Sequence, residues 1–127
     1  MKYGFSRTID LSYEKTIERI TEELKKEGFG VLTSIDVKDT FKKKINVDFK
    51  KYAILGACNP PFAHQALQAE EEIGLLLPCN VIVYEKDGKT NVSVFDPMAM
   101  SELIKNPVIE SVAQQVKTKL QHALAAV

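Results

Sequence analysis

The sequence predicts an α+β fold, a mainly antiparallel five-stranded sheet covered by helices in a two-layer sandwich. Three observations carry this expectation. Strand-like alternation and helix-like periodicity follow one another as strand, helix, strand, short helix, strand, helix, two-stranded hairpin, helix. Asp87-Gly88 stands between two alternating runs, and that pair favours a type I′ hairpin because both central residues need positive φ. The longer helical segments each carry a single apolar stripe, so each must lie against another layer. The sheet face left uncovered is then either open or buried in a homodimer.

Residues 2–9 read as the first strand, with Tyr3, Phe5, Arg7 and Ile9 on one face. Asp10 or Ser12 can cap the first helix, along which Tyr13, Ile17, Ile20 and Leu24 recur at offsets of 0, 4, 7 and 11. Lys25 and Lys26 suit its negative end. Gly28 stops it, with Leu24 and Phe29 as the apolar pair of a Schellman ending. Phe29, Val31, Thr33, Ile35 and Val37 then alternate along a second strand and are expected to share a face. Phe41 and Ile45 continue a four-residue spacing into a short helix ending near Asn46. Its Lys42-Lys43-Lys44 run reads as a solvated face or an anion patch.

The third strand, 52–58, places Tyr52, Ile54, Gly56 and Cys58 on one face. Gly56 marks a position where close packing, a ligand or another backbone approaches. A helix from Pro60 carries Phe62, Ala66, Ala69 and Ile73 on one side, and Asn59 and Pro60 are expected at its N-cap and first position. At about 100° per residue, His64 falls roughly 200° from Phe62 and reads as a surface residue. The hairpin register set by Asp87-Gly88 pairs Lys86 with Lys89, Val83 with Val92 and Val81 with Val94. Extended further, it pairs Cys79 with Asp96. Met98 to Lys105 is a loop or one helical turn. Asn106-Pro107 opens a last helix whose Ile109, Val112, Val116, Leu120 and Ala123 form its core stripe.

At 127 residues the chain is expected to be one domain, 1–127, large enough for a core. Lys+Arg and Asp+Glu both number 17, so the formal charge is zero. A balanced charge gives no electrostatic case for nucleic acid or an anionic membrane, and it leaves self-association open. The N-terminal residues contain no apolar signal-type run, and the longest apolar run, Ile73 to Leu77, cannot span a bilayer. With two cysteines, the expected setting is a reducing cytoplasm.

The chemistry-bearing stretch is Ala53 to Asn80, which holds both cysteines, Cys58 and Cys79, and one of the two histidines. A thiol just outside a helix N-terminus sits in positive potential, which favours thiolate and bound anions. Backbone N–H groups of Phe62 and Ala63 are the expected anion donors there, with Asn59 orienting the turn. Asp96 opposite Cys79 would raise that thiol's pKa and quieten it. Cys58, His64, Cys79 and Asp96 are separated by 6, 15 and 17 positions, which match no zinc pattern, so neither a metal nor a cofactor is expected. Gly-rich phosphate loops and nucleophile-elbow serines are absent. Whether the cysteines meet depends on strand direction. Antiparallel neighbours would put them on one edge, a parallel crossover at opposite ends, and the connection length fits both.

Gly56-Ala-Cys-Asn-Pro60, Ala63-His-Gln-Ala-Leu67, Ile73-Gly-Leu-Leu-Leu-Pro-Cys-Asn80 and Asp96-Pro97 together resemble the domain-of-unknown-function family 302. Ile35-Asp36-Val37 and Tyr52-Ala-Ile-Leu55 fit the same layout, so the resemblance covers nearly the whole chain. It implies a TATA-box-binding-protein-like fold, an antiparallel sheet backed by helices, with Cys58 and Cys79 on one edge. It implies no activity, since none is established for the family, and a shared fold class does not itself confer DNA binding.

Three functional readings follow, in order of preference. In the first, the chain binds a small ligand, anionic or neutral, at Cys58, Asn59, Pro60, Phe62, Ala63, Cys79 and Asp96. In the second, Cys58 is an attacking or sulfur-carrying thiolate and Cys79 its resolving partner. In the third, the uncovered sheet face forms a homodimer without catalysis.

Overall fold

Five strands form one antiparallel sheet in which, in chain order, the first pairs with the fifth, followed across the sheet by the fourth, third and second. The computed structural model describes residues 1–127. Along the chain run β1 (Gly4–Ile9), α1 (Tyr13–Lys26), β2 (Gly30–Asp36), α2 (Val37–Ile45), β3 (Tyr52–Cys58) and α3 (Pro60–Ala69). A 3₁₀ helix (Glu71–Leu76), β4 (Cys79–Lys86), β5 (Lys89–Phe95), α4 (Met98–Leu103) and α5 (Pro107–Ala125) complete it. This is the α+β sandwich the sequence predicts. No helix is long and apolar enough to cross a membrane.

Alternation along the strands sorts the side chains into two layers. Ala53, Leu55 and Ala57 of β3, Cys79, Val81 and Val83 of β4, and Val92 and Val94 of β5 are buried under the helices. They join Ile20 and Leu24 of α1 and Ile109, Val112, Val116 and Leu120 of α5 in one contiguous core. Each Val, Leu or Ile so buried contributes roughly 1.5–3 kcal/mol from removal of apolar surface from water. Helices α1, α3 and α4 each pack on α5, which makes that helix the spine of the layer. On the opposite face the same strands present Tyr52, Ile54, Asn80, Ile82, Tyr84, Ser93 and Phe95.

The helix ends follow their sequence signals. Ser12 Oγ accepts from the Lys15 N–H at 3.1 Å. At the other end of α1 the Phe29 N–H donates to Leu24 O and the Gly28 N–H to Lys25 O, the paired bonds of a Schellman ending, with Gly28 at φ 88°. Asn106 Oδ1 accepts from the Val108 N–H at 2.9 Å and starts α5. Asp87 and Gly88, at φ 53° and 73°, make the hairpin turn, and the observed register is Lys86 to Lys89, Val83 to Val92 and Val81 to Val94. Arg7 lies on the helix side of β1 because its guanidinium donates to the main-chain oxygens of Leu124, Ala125 and Val127 at 2.8–3.0 Å. These oxygens lie at and just beyond the negative end of α5, where a cation is favoured.

Two expectations are corrected. The register of β2 shifts between Val31 and Thr33, so Leu32 is an extra residue. Val31 pairs with Ala57 on the helix side, whereas Thr33 and Ile35 pair with Gly56 and Ile54 on the other face. The five alternating residues of this segment therefore do not share a face, and Val37 already belongs to α2. The helix from Pro60 does not run through Ile73: Glu70 is extended at φ −149°, ψ 101°, and a 3₁₀ helix carries Ile73 into the core by a separate route. The lysine run is the solvated face of α2, as the first of its two readings has it, with Lys42 and Lys43 paired to Asp48 and Asp39. The six-residue α4 fills the segment read as a loop or single turn.

Candidate functional site

Strands β3 and β4 are antiparallel neighbours, with Ala57 opposite Cys79 and Gly56 opposite Asn80. Cys58, one residue past Ala57, therefore shares the sheet edge with Cys79, and both thiols are free. The choice left open by the connection length is settled by strand direction. At this edge a cavity of about 350 Å³ opens between the strand ends, α3 and α5. Of its 18 lining residues 14 are hydrophobic, so it suits apolar matter better than a hydrated ion. Leu32 and Thr33 of β2, Phe62, Ala63 and Ala66 of α3, and Val112, Ala113 and Val116 of α5 form walls, with Met100 of α4 between them.

The start of α3 differs from the expected anion cradle. Pro60 and Pro61 have no N–H, and the Ala63 N–H is already donated to Asn59 O at 2.9 Å. Only the Phe62 N–H remains of the first turn, too little to hold an anion by itself. Asn59 makes no side-chain cap. Its Nδ2 instead donates to Glu27 O at 3.2 Å, and the side chain lies against Gly28. Asn59 thus ties the end of α1 to the start of α3, which fixes one wall of the cavity.

Gly56 fixes another. A Cβ there would come within 2.7 Å of Pro78 Cγ and would overlap Thr33 Oγ1. The gap read at this position is occupied by the protein itself, and both intruding residues line the cavity.

Five of the seven residues named from sequence line this cavity: Cys58, Asn59, Phe62, Ala63 and Cys79. Pro60, exposed at the helix start, does not, and neither does Asp96. The Asp96 N–H donates to Tyr3 O, its Oδ1 accepts from the Met98 N–H and its Oδ2 pairs with Lys117 Nζ at 2.9 Å. The paired β4–β5 ladder ends at Val81 and Val94, so the extrapolated Cys79–Asp96 pairing does not form. Cys79 is nonetheless raised, to about 11, because burial disfavours its thiolate and the nearby Cys58 adds charge. His64 is exposed on α3. No three His, Cys, Asp or Glu side chains gather as a ligand set.

No sequence signal marks Leu32, Thr33 or Met100 as wall residues. Leu32 and Thr33 arrive through the bulge and Met100 through a helix read as a loop. The α5 stripe was visible, but not that its Val112–Val116 portion would line a cavity as well as a core.

An antiparallel sheet backed by helices, with two free thiols on one edge beside an apolar cavity, defines the class. The chain belongs to the family described as Domain of unknown function DUF302, whose model matches residues 5–127. Among solved structures it is similar to the crystal structure of an uncharacterized conserved protein DUF302 from Bacillus stearothermophilus. The two are 29% identical with a TM-score of 0.92, over 99% of this chain and 98% of that one. No functionally curated protein matches the chain.

Proposed function

We propose that the chain binds a small, largely apolar molecule in the cavity between α3, α5 and the β3–β4 edge. The carrying observation is the cavity: about 350 Å³, with 14 hydrophobic residues among 18. That volume lies within the range of small-ligand sites. The polar groups at its border are the half-buried Cys58, the buried Asn59 amide and the Phe62 N–H. They orient a ligand carrying one polar end. Anion binding of the kind expected at a helix start is the weaker form of this reading, because two prolines remove its donors. Cys79, held neutral by burial, is a wall residue rather than a resolving nucleophile.

The test is thermal unfolding against a panel of apolar metabolites, with 1-anilinonaphthalene-8-sulfonate (ANS) as a generic probe. A ligand at about 100 times its Kd stabilises by about 2.7 kcal/mol. Ala63→Phe places a ring in the cavity from a half-buried helix position and abolishes the shift while the chain stays folded. If no apolar compound stabilises the wild type, or if the filled variant responds equally, this reading is wrong.

A further inference from the structure

The sheet face turned away from α1 and α5 is charged in one sense only. None of the residues that β1, β5, β4 and β3 present there is an Asp or Glu, while Lys86 and Lys89 face each other at the hairpin end. The chain's zero net charge hides this, because the carboxylates lie on helices, on loops and at the helix-side strand positions Asp36 and Glu85. The same face carries an aromatic platform. Tyr52 and Tyr84, paired across β3 and β4, stack with centroids 5.4 Å apart and planes 17° from parallel. Lys50 Nζ stands 5.0 Å from the Tyr84 centroid. Tyr3, 67% exposed, borders the same shallow groove of about 510 Å³.

Aromatic rings lying on a sheet, interleaved with lysines and free of carboxylates, complement one kind of polymer. Each unit of it must offer a flat unpaired ring and an anion. We propose that this face binds single-stranded nucleic acid, with bases stacked on Tyr52, Tyr84 and Tyr3 and phosphates on Lys50, Lys86 and Lys89. Lys50, now over the Tyr84 ring, moves onto the phosphate of the base that takes its place. Duplex DNA keeps its base faces stacked internally and cannot use the tyrosines. A second copy of the chain is a poor occupant, because a symmetric contact sets these lysines against their own equivalents with no carboxylate between them. The groove shares no lining residue with the cavity, so the inference stands independently of the ligand reading.

Fluorescence anisotropy with a labelled single-stranded oligonucleotide of about 12 residues tests it. Binding is expected to weaken with salt with a log–log slope near −2, from about 0.7 per phosphate contact for a single strand. Tyr84→Leu weakens it at least about fivefold, as loss of one stacked base requires. Tyr3→Ser, at an exposed position outside the strand ladder, weakens it in a chain whose fold is not at risk. Combined Lys50→Gln, Lys86→Gln and Lys89→Gln flattens the salt slope. No binding at low salt overturns the proposal, as do equal affinity for duplex or for a mononucleotide, and indifference to the tyrosine and lysine variants. Sedimentation showing a dimer that Lys86→Gln or Tyr84→Leu alters also overturns it, in favour of a second copy.

Discussion

Replacing Gly56 by alanine tests how the cavity edge is built. The added methyl would lie 2.7 Å from Pro78 Cγ and overlap Thr33 Oγ1. Ordinary carbon contacts need about 3.5–4 Å. Neither neighbour yields readily, since the proline ring is rigid and a β-branched threonine has few χ1 choices. Overpacking of this kind costs about 1–3 kcal/mol. A value near 2 kcal/mol lowers Tm by about 7 °C for 127 residues, at about 2.1 cal/mol/K of unfolding entropy per residue. Differential scanning calorimetry and urea titration read this directly. Thr33→Ala in the Gly56→Ala background removes one of the two obstructions and restores about half the loss, so the pair is non-additive in a double-mutant cycle. A Gly56→Ala protein melting with the wild type refutes the packing argument. Strictly additive effects of the two substitutions refute its assignment to Thr33.

Cys79 makes stability fall at alkaline pH. The folded chain holds this proton until about 11, whereas the thiol's ordinary value is 9.0, so between them the folded state binds more protons than the unfolded one. Stability contributed by the neutral thiol is complete below pH 9 and is lost toward pH 11, by roughly 2–3 kcal/mol in total. Urea midpoints measured across that window should decline in the wild type and flatten in Cys79→Ala, and Cys79 should alkylate about 100-fold more slowly than an ordinary thiol at pH 8. Asn59→Ala removes the hydrogen bond to Glu27 O and the contact with Gly28. It is expected to cost about 1–2 kcal/mol in chemical denaturation while helix content by circular dichroism stays constant.

What could be read from the sequence was whatever a few neighbouring residues decide. The Schellman ending at Gly28, the Asp87-Gly88 turn and the Asn106 cap depend on local φ and on orphan backbone groups, so residue type was enough. The bulge at Leu32 was hidden because an inserted residue leaves no mark on alternation when its neighbours are themselves apolar or β-branched. Asn59 fitted every N-cap preference, yet Pro61 removes one of the two N–H groups such a cap serves, and a carbonyl from a distant helix end took its amide. The break at Glu70 defeated periodicity because Ile73 is buried on either route, so its spacing from Phe62 carried no information about the path between. Asp96 was misplaced by extending a hairpin register past its last paired residues, where Lys117 and the start of α4 compete for the carboxylate.

The strand Tyr52–Cys58 explains how one short segment can serve two unlike surfaces. Its odd residues, Ala53, Leu55 and Ala57, are buried under the helices, and Ala57 reaches the cavity wall. Its even residues turn the other way, with Tyr52 in the aromatic stack and Gly56 against Thr33 and Pro78. Period two keeps the two faces distinct: this strand sends only apolar side chains under the helices, while the outer face of the sheet carries tyrosine and lysine without carboxylate. The two surfaces should therefore respond to different substitutions. Filling the cavity with Ala63→Phe should leave oligonucleotide binding unchanged, and Lys86→Gln should leave ANS binding unchanged. If either change is felt on both sides, the sheet does not insulate its faces, and the cavity and the aromatic face have to be treated as one site.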